Sequence, residues 1–325
     1  MLSNIARRGF ASTTATARLA ALRQLINTKA PNDGVIRAME AHSGLSAMIV
    51  EQTRAHRPDG SEAKFDCLWS SSLTSSTLKG MPDIETVDTT QRLQIVEDCL
   101  DVSSLPMIYD GDTGGEAEIF RFTVKKLERL GVGACVIEDK TGLKQNSLFG
   151  TERKQQLADV DEFCDKLAAG KDAQVTNDFM IFARVEALIA GLGQEEAMRR
   201  ATAYLEKGGC DGIMIHSRHK DPQEIYEFLK VFREQYPDKV KTPIILVPTS
   251  YNSVHESELA EHGANIIIHA NQLIRAAYPA MKKVATEILT AGRSQEVDGE
   301  IMPIKQVISF IDDNTGNGFK MSHTA

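Results

Sequence analysis

The chain has no run of eighteen apolar residues, so no segment of it reads as a membrane-spanning helix. It has no CxxC pair either. The five cysteines, Cys67, Cys99, Cys135, Cys164 and Cys210, are scattered and odd in number, which points to reduced thiols and against a disulfide frame or a zinc site. A surplus of positive charge is also missing. The net charge of -8 weighs against a general nucleic-acid binder, although a small anionic substrate needs only a local basic pocket. No GxGxxG follows the first apolar run, so the fingerprint of an open dinucleotide-binding sheet is absent.

Acidic residues are missing from one stretch in particular. Before Asp33 the chain carries Arg7, Arg8, Arg18, Arg23 and Lys29 among many Ser, Thr and Ala, with no Asp or Glu. It also lacks the continuous apolar core of a secretory signal. Residues 1–30 therefore read as a mitochondrial transit peptide lying outside the fold, which places the protein in the matrix; a basic tail on a cytoplasmic protein is the alternative.

What is present from residue 35 onward is alternation. Short apolar runs occur at Val35–Met39, Phe65–Trp69, Pro106–Tyr109, Ala134–Ile137, Met180–Ala183, Gly212–Ile215, Ile244–Val247 and Asn265–Ile268. Strands apolar throughout are expected where both faces of a parallel sheet are buried. Helical patterns such as "AEIFRFTVKKLERLG" and "GQEEAMRRATAYLEKGG" separate them, the latter stopping at a glycine pair. Eight such units in about 250 residues predict a (β/α)8 barrel over residues 33–312, followed by a disordered tail at 313–325.

A barrel of this kind carries its chemistry just beyond the C-terminal ends of its strands. Polar residues recur there: Trp69 with Ser71 and Ser72; Asp110 and Asp112; Glu138; Arg184 with Glu186; His216 with Ser217 and Arg218; Thr249 with Tyr251; and Asn271. In "YDGDTGG" the two aspartates stand at alternate positions, followed by glycines that let backbone come close to a ligand. With Glu138 they make a carboxylate group suited to a hard divalent cation that keeps several waters. Magnesium is the natural choice, because no His/Cys cluster accompanies them. Opposite the acids, Arg184 offers a bidentate fork and His216 an imidazole donor, a pairing that fits a small carboxylate- or phosphoryl-bearing substrate.

The segment "VIEDKTGLKQNSLFG" runs from a strand end into Glu138, Asp139 and two lysines. Its "EDKTGLKQNS" fits the EDK-five residues-NS signature and resembles the phosphoenolpyruvate mutases, of the phosphoenolpyruvate mutase/isocitrate lyase superfamily. "AHSGLSAMI", "LWSSSLTSSTLKGMPD", "YDGDTGG", "FARVEALIAGLG" and "GIMIHSR" resemble family segments in the same order, over roughly residues 33 to 310. The resemblance implies reversible interconversion of phosphoenolpyruvate and 3-phosphonopyruvate. It implies Asp110 as the direct magnesium ligand, with Asp83, Asp112 and Glu138 holding its waters. Ser71 and the backbone N–H groups of Ser72 and Leu73 would take the substrate carboxylate, although the family usually has glycine where Ser72 stands. Trp69 would form a wall. Residues 139–156 would be a gating loop on which Lys144, Asn146 and Ser147 close over the substrate, with Arg184 and His216 on the phosphoryl group.

Two relatives in reaction are weighed against this. A phosphonopyruvate hydrolase would tend to carry Thr in place of Asn146, and a carbon–carbon lyase of the isocitrate lyase type would need a loop cysteine that residues 139–156 lack. A non-enzymatic member would have lost metal carboxylates, and all four are present. The resemblance further implies terminal helices, from Asn271 and around Ile304–Ile311, exchanged between subunits of a homotetramer. No membrane or nucleic-acid partner is expected.

Overall fold

Strands that are apolar on both faces need cover on both sides, and a parallel sheet closed on itself with helices outside supplies it. In the computed structural model, which describes residues 13–32, 34–142, 144, 146–147 and 155–308, eight strands close into one parallel barrel. They are β1 (Ile36–Glu40), β4 (Cys67–Ser70), β5 (Met107–Asp110), β6 (Ala134–Glu138), β7 (Met180–Val185), β8 (Gly212–Ile215), β9 (Ile244–Leu246) and β10 (Ile266–His269), with β10 pairing back to β1. The outer helices are α2 (Gly44–Gln52), α3 (Ser72–Leu78), α4 (Thr89–Val102), α5 (Ala117–Leu130), α6 (Val160–Ala173), α7 (Gly193–Glu206), α8 (Gln223–Gln235), α9 (Glu256–Glu261) and α10 (Gln272–Ala291). The (β/α)8 architecture is the one the sequence pattern predicts.

Alternation along each strand sorts the side chains into two apolar layers. Ile36, Ala38, Cys67, Trp69, Ile108, Ala134, Val136, Met180, Phe182, Met214, Ile245 and Ile266 fill the barrel interior. The intervening residues, such as Leu68, Tyr109, Cys135, Ile181 and Ile213, pack against the helices. One step further up the inward face of β5, β6 and β7 stand Asp110, Glu138 and Arg184. The expected strands ended one residue short of these side chains; the ladder in fact includes them, with Asp110 opposite Val136 and Glu138 opposite Arg184. Their backbones are thus fixed by sheet pairing and not by loop conformation.

The basic N-terminal stretch corrects the expected domain boundary. Residues Ala15–Lys29 form helix α1, capped by Thr14, whose side chain accepts from the Ala17 N–H. Leu22, Ile26 and Ala30 join the apolar cluster inside the barrel and close its N-terminal end. The charges that suggest a leader are used here: Arg18 donates to the carbonyls of Leu100 and Leu130, Arg23 pairs with Asp211 at 3.0 Å, and Lys29 with Asp66 at 2.7 Å. Helix α1 also explains Gly131, which ends α5 at φ 83°; a Cβ there would lie 2.5 Å from the Ala15 carbonyl oxygen. The fold therefore begins no later than Thr14.

A small antiparallel pair, β2 (Arg54–His56) and β3 (Glu62–Lys64), sits beside the barrel. Its exposed strands have no apolar face to read, and only Asp59-Gly60 at the turn, with Gly60 at φ 82°, signals it. At the other end of the chain, α10 has no buried residue and exposes Tyr278, Met281 and Leu289. A short α11 (Ile304–Ile308) follows. The expected extension to Ile311 and the tail 313–325 lie outside the described residues.

Because Leu22 is fully buried, Leu22→Ala should destabilise the barrel by about 2–5 kcal/mol, as large-to-small core changes do. Urea unfolding is the measurement. A change below about 1 kcal/mol would mean that α1 is peripheral to the core.

Candidate active site

Asp110, the last residue of β5, is buried at the barrel mouth, and both the N–H and the hydroxyl of Ser72 donate to its Oδ2, at 3.1 and 2.8 Å. Burial works to raise the Asp110 pKa, but Lys144, Arg92 and Arg184 outweigh it and bring the carboxyl down to about 2. Gly111 is required by packing: a Cβ there would meet Cys135 Sγ at 2.7 Å and the Val136 carbonyl at 2.9 Å. The close neighbour is strand β6. Asp112 follows at φ 53°, a left-handed conformation uncommon outside glycine. Its carbonyl accepts from the Glu138 N–H at 2.7 Å, and its carboxylate is shared between Arg92, at 2.7 Å, and Lys144.

The loop after β6 reaches into this group. Lys144 Nζ donates to Ser72 Oγ at 2.6 Å, to Asp83 at 3.0 Å and to Asp112. Burial would lower the lysine's pKa, but Asp112, Asp110 and Glu138 together hold it well above its usual range, so it is a cation at any working pH. Asn146 Nδ2 donates to the second Asp83 oxygen at 3.0 Å. Ser147 Oγ donates to Glu186 at 2.6 Å and accepts from Lys140 and Arg184 at 2.7 and 2.6 Å. Of the remaining loop, residues 143, 145 and 148–154 lie outside the described residues.

Glu138 and Asp139, adjacent in sequence, have opposite fates. Asp139 turns outward, where Tyr204 and Arg200 donate to one oxygen at 2.7 and 3.0 Å and the Glu186 N–H donates to the other at 2.9 Å. It anchors the loop base and does not line the cavity. Glu138 turns inward with both carboxylate oxygens buried and without a hydrogen bond, although Arg184 Nη2 lies 3.3 Å away. Burial raises its pKa to about 7, against the pull of Arg184 and Lys140. Arg184 is braced by Glu186 at 2.5 Å. His216 has an unpartnered buried Nδ1, and burial, followed by the Arg184 charge, lowers its pKa to about 4.

One cavity, about 560 Å³ counted to its open mouth, collects most of the expected residues: Trp69, Ser71, Ser72, Leu73, Asp83, Asp110, Lys144, Asn146, Ser147, Arg184 and His216 all line it. Thr249 and Asn271 complete the rim. Asp112 and Glu138 stand behind that wall. Asp83 lies in a turn and is not a helix cap. The Ser72 N–H, expected to face a substrate carboxylate, is engaged by Asp110, while Ser71 caps α3. Tyr251 and Ser217 stay outside the cavity lining, Ser217 bonding to Glu224.

Two residues that support the site escaped the strand-end reading. Arg92 lies in the middle of α4, where nothing in the sequence distinguishes it from a solvated helix charge. Only the fold carries it over the Tyr109 ring, 4.4 Å from the centroid, and onto Asp112. Lys140 pairs with Glu186 at 2.9 Å; its signal was present as the lysine of the EDK run.

The lowered pKa of His216 gives a signed expectation. The unfolded imidazole takes up a proton below its ordinary value of 6.5, while the folded one waits until about 4. Stability should therefore fall as pH drops through that window and level off below it. His216→Asn should flatten this dependence in urea unfolding at a series of pH values. An unchanged slope would show that the imidazole titrates normally.

Comparison with known proteins agrees with this geometry. The sequence profile of the phosphoenolpyruvate phosphomutase family matches residues 22–289. The phosphoenolpyruvate phosphomutase of Tetrahymena pyriformis is 37% identical over 308 residues, 94% of each chain. The phosphonopyruvate hydrolase of a Variovorax species is 39% identical over 278 residues, 85% of this chain and 90% of the relative. Among solved structures, the phosphoenolpyruvate phosphomutase from Streptomyces platensis subsp. rosaceus superposes with a TM-score of 0.79 at 35% identity, covering 89% of this chain and 93% of that one. A phosphonopyruvate hydrolase in complex with oxalate and magnesium gives 0.76 at 35% identity, covering 90% and 93%. The chain belongs to the phosphoenolpyruvate phosphomutase family.

Proposed function

We propose that this chain is a phosphoenolpyruvate mutase, moving a phosphoryl group between the enol oxygen of phosphoenolpyruvate and the C3 carbon of 3-phosphonopyruvate. One observation carries the reading: Lys144, Asn146 and Ser147, from the loop after β6, line the same cavity as Trp69, Arg184 and His216. These three residues reach over the cavity, with Asn146 tied to Asp83. In the reaction the P–O bond breaks and its electron pair stays on oxygen as the pyruvate enolate. C3 then supplies the pair for the new P–C bond as the oxygen becomes a ketone. Such a transfer is loose in its transition state, so the protein's work is positioning and charge.

The residues divide that work. Arg184, held by Glu186 and Ser147, presents its guanidinium to the phosphoryl oxygens, and neutral His216 acts as a hydrogen-bonding partner. The Asn146 amide holds the migrating group. Ser71 and the Leu73 N–H take the carboxylate, and the Trp69 ring packs along the substrate plane. The buried loop residues Lys144 and Ser147 keep water from the enolate stage, at which a water molecule would turn a mutase into a hydrolase.

Magnesium fits the chemistry of the donor set, which is all oxygen, and both buried carboxylate oxygens of Glu138 are without a hydrogen bond. Among the described residues no three acidic, His or Cys side chains converge closely enough to hold an ion by themselves. Asp110, with Asp83, Asp112 and Glu138 around it, would hold the ion. When bound, the ion stabilises negative charge on the enol oxygen.

Phosphorus NMR with phosphonopyruvate and magnesium should show phosphoenolpyruvate as the main product, and exhaustive chelation should stop turnover. Asn146→Ala should lower the rate by about 10²–10³-fold, as loss of a transition-state donor does. Lys144→Ala should raise the share of free phosphate as total turnover falls. The hydrolase relative makes the opposing outcome concrete: phosphate and pyruvate as main products of the unaltered protein would replace the mutase assignment with that of a hydrolase.

Two further readings belong to the same proposal. The exposed apolar face of α10 suits exchange between subunits of a homotetramer, which light scattering would test; a monomer would exclude it. The basic, acid-free N-terminus suits import into the mitochondrial matrix, with any processed leader ending before Thr14 because α1 belongs to the barrel. A reporter carrying residues 1–35 should enter the matrix, and one that stays in the cytoplasm would end that part.

A further inference from the structure

Ser72 is buried, lines the cavity, and its single hydroxyl touches both halves of the site. Its proton goes to Asp110 Oδ2 at 2.8 Å, and its oxygen accepts from Lys144 Nζ at 2.6 Å. The Ser72 N–H reaches the same Asp110 oxygen at 3.1 Å. Oδ2 is therefore satisfied twice by one residue, whereas Oδ1 has only a long contact of 3.4 Å from the Asp112 N–H. A carboxylate held in this way is fixed through Oδ2, while Oδ1 keeps only the one weak contact.

We propose that Ser72 is a positioning residue that ties the loop through Lys144 to the orientation of Asp110. The hydroxyl is the neutral link between them. Lys144 has three acceptors here, Ser72, Asp83 and Asp112, which match the three protons of an ammonium group. Removing the hydroxyl leaves one ammonium proton without a partner and Asp110 Oδ2 with only its N–H donor. The loop then holds less tightly while the fold, the acids and the loop sequence are unchanged. A lysine that lets go of the acid cluster opens the route by which water reaches the cavity. This last consequence rests on the mutase reading; the tie itself does not.

The test uses the full-length protein without added divalent ion and limited trypsin digestion, with fragments identified by mass. Cleavage after Lys144 requires that side chain to leave its acceptors, and cleavage after the exposed Lys241 is the reference for general susceptibility. Ser72→Ala should raise the ratio of Lys144 to Lys241 cleavage about tenfold, the effect of one hydrogen bond to a charged group. Ser72→Thr, which restores a hydroxyl, should bring it back toward the unaltered value. Ser72→Gly removes the same hydroxyl without adding bulk and serves if the alanine variant melts abnormally. An unchanged ratio in a hydroxyl-free variant with a native melting curve overturns the proposal. In turnover, the same variant should release more phosphate per phosphoenolpyruvate formed. If the unaltered protein already yields chiefly phosphate, the mutase reading fails while the trypsin ratio still decides the role of Ser72.

Discussion

Carboxylates crowded at the mouth of a barrel cannot remain ionised in a dry interior without cations beside them. Asp110, Asp112, Glu138 and Glu186 are all buried there, and Asp83 stands at their edge. Arg92, Lys140, Lys144 and Arg184 meet them from a helix, a loop and a strand. Much of the local structure follows from this balance. It draws Lys144 inward, braces Arg184 in a fixed direction, and brings the helix residue Arg92 under the sheet edge. Breaking one partner of such a group would leave an uncompensated buried charge, which costs more than the intact pair contributes.

The balance is uneven, and the unevenness is where the chemistry lies. Asp110 is pushed toward the ionised form and Glu138 toward the protonated one, at neighbouring strand ends. The difference comes from neighbours: the charges of Lys144, Arg92 and Arg184, and then the Ser72 hydrogen bond, outweigh the burial of Asp110, while Glu138 is equally dry, has no hydrogen bond on either oxygen and feels the Glu186 charge. Two acids of like burial on adjacent strands thus differ in charge state because their neighbours differ. The Asp139 anchor to Arg200 and Tyr204 lies just outside this group. It lets the loop begin from a rigid point immediately beside the cavity.

Helix α1 illustrates how one composition supports two meanings. A basic, acid-free, alanine-rich stretch has the character of a leader, and the same residues also make a helix whose apolar side closes the bottom of a barrel. Arg18, Arg23 and Lys29 find carbonyl and carboxylate partners at the barrel's N-terminal end, far in sequence from themselves. Composition records the charges and leaves their partners unspecified.

The periodicity of apolar runs determined the strands, their parallel arrangement and the edge at which function would gather. It did so because strands buried on both faces have no other way to satisfy their surface. Strand-end residues such as Asp110, Glu138, Arg184 and His216 were legible for the same reason, and Lys144, Asn146 and Ser147 through the signature of their loop. Tertiary structure alone decided which of them meet. Arg92 acts on Asp112 through a helix packed behind β5, and Ser72 spends its N–H on Asp110. Gly111 serves strand β6, and α1 belongs to the fold. Each depends on a contact between residues distant in the chain, whose partner is fixed only when the barrel closes.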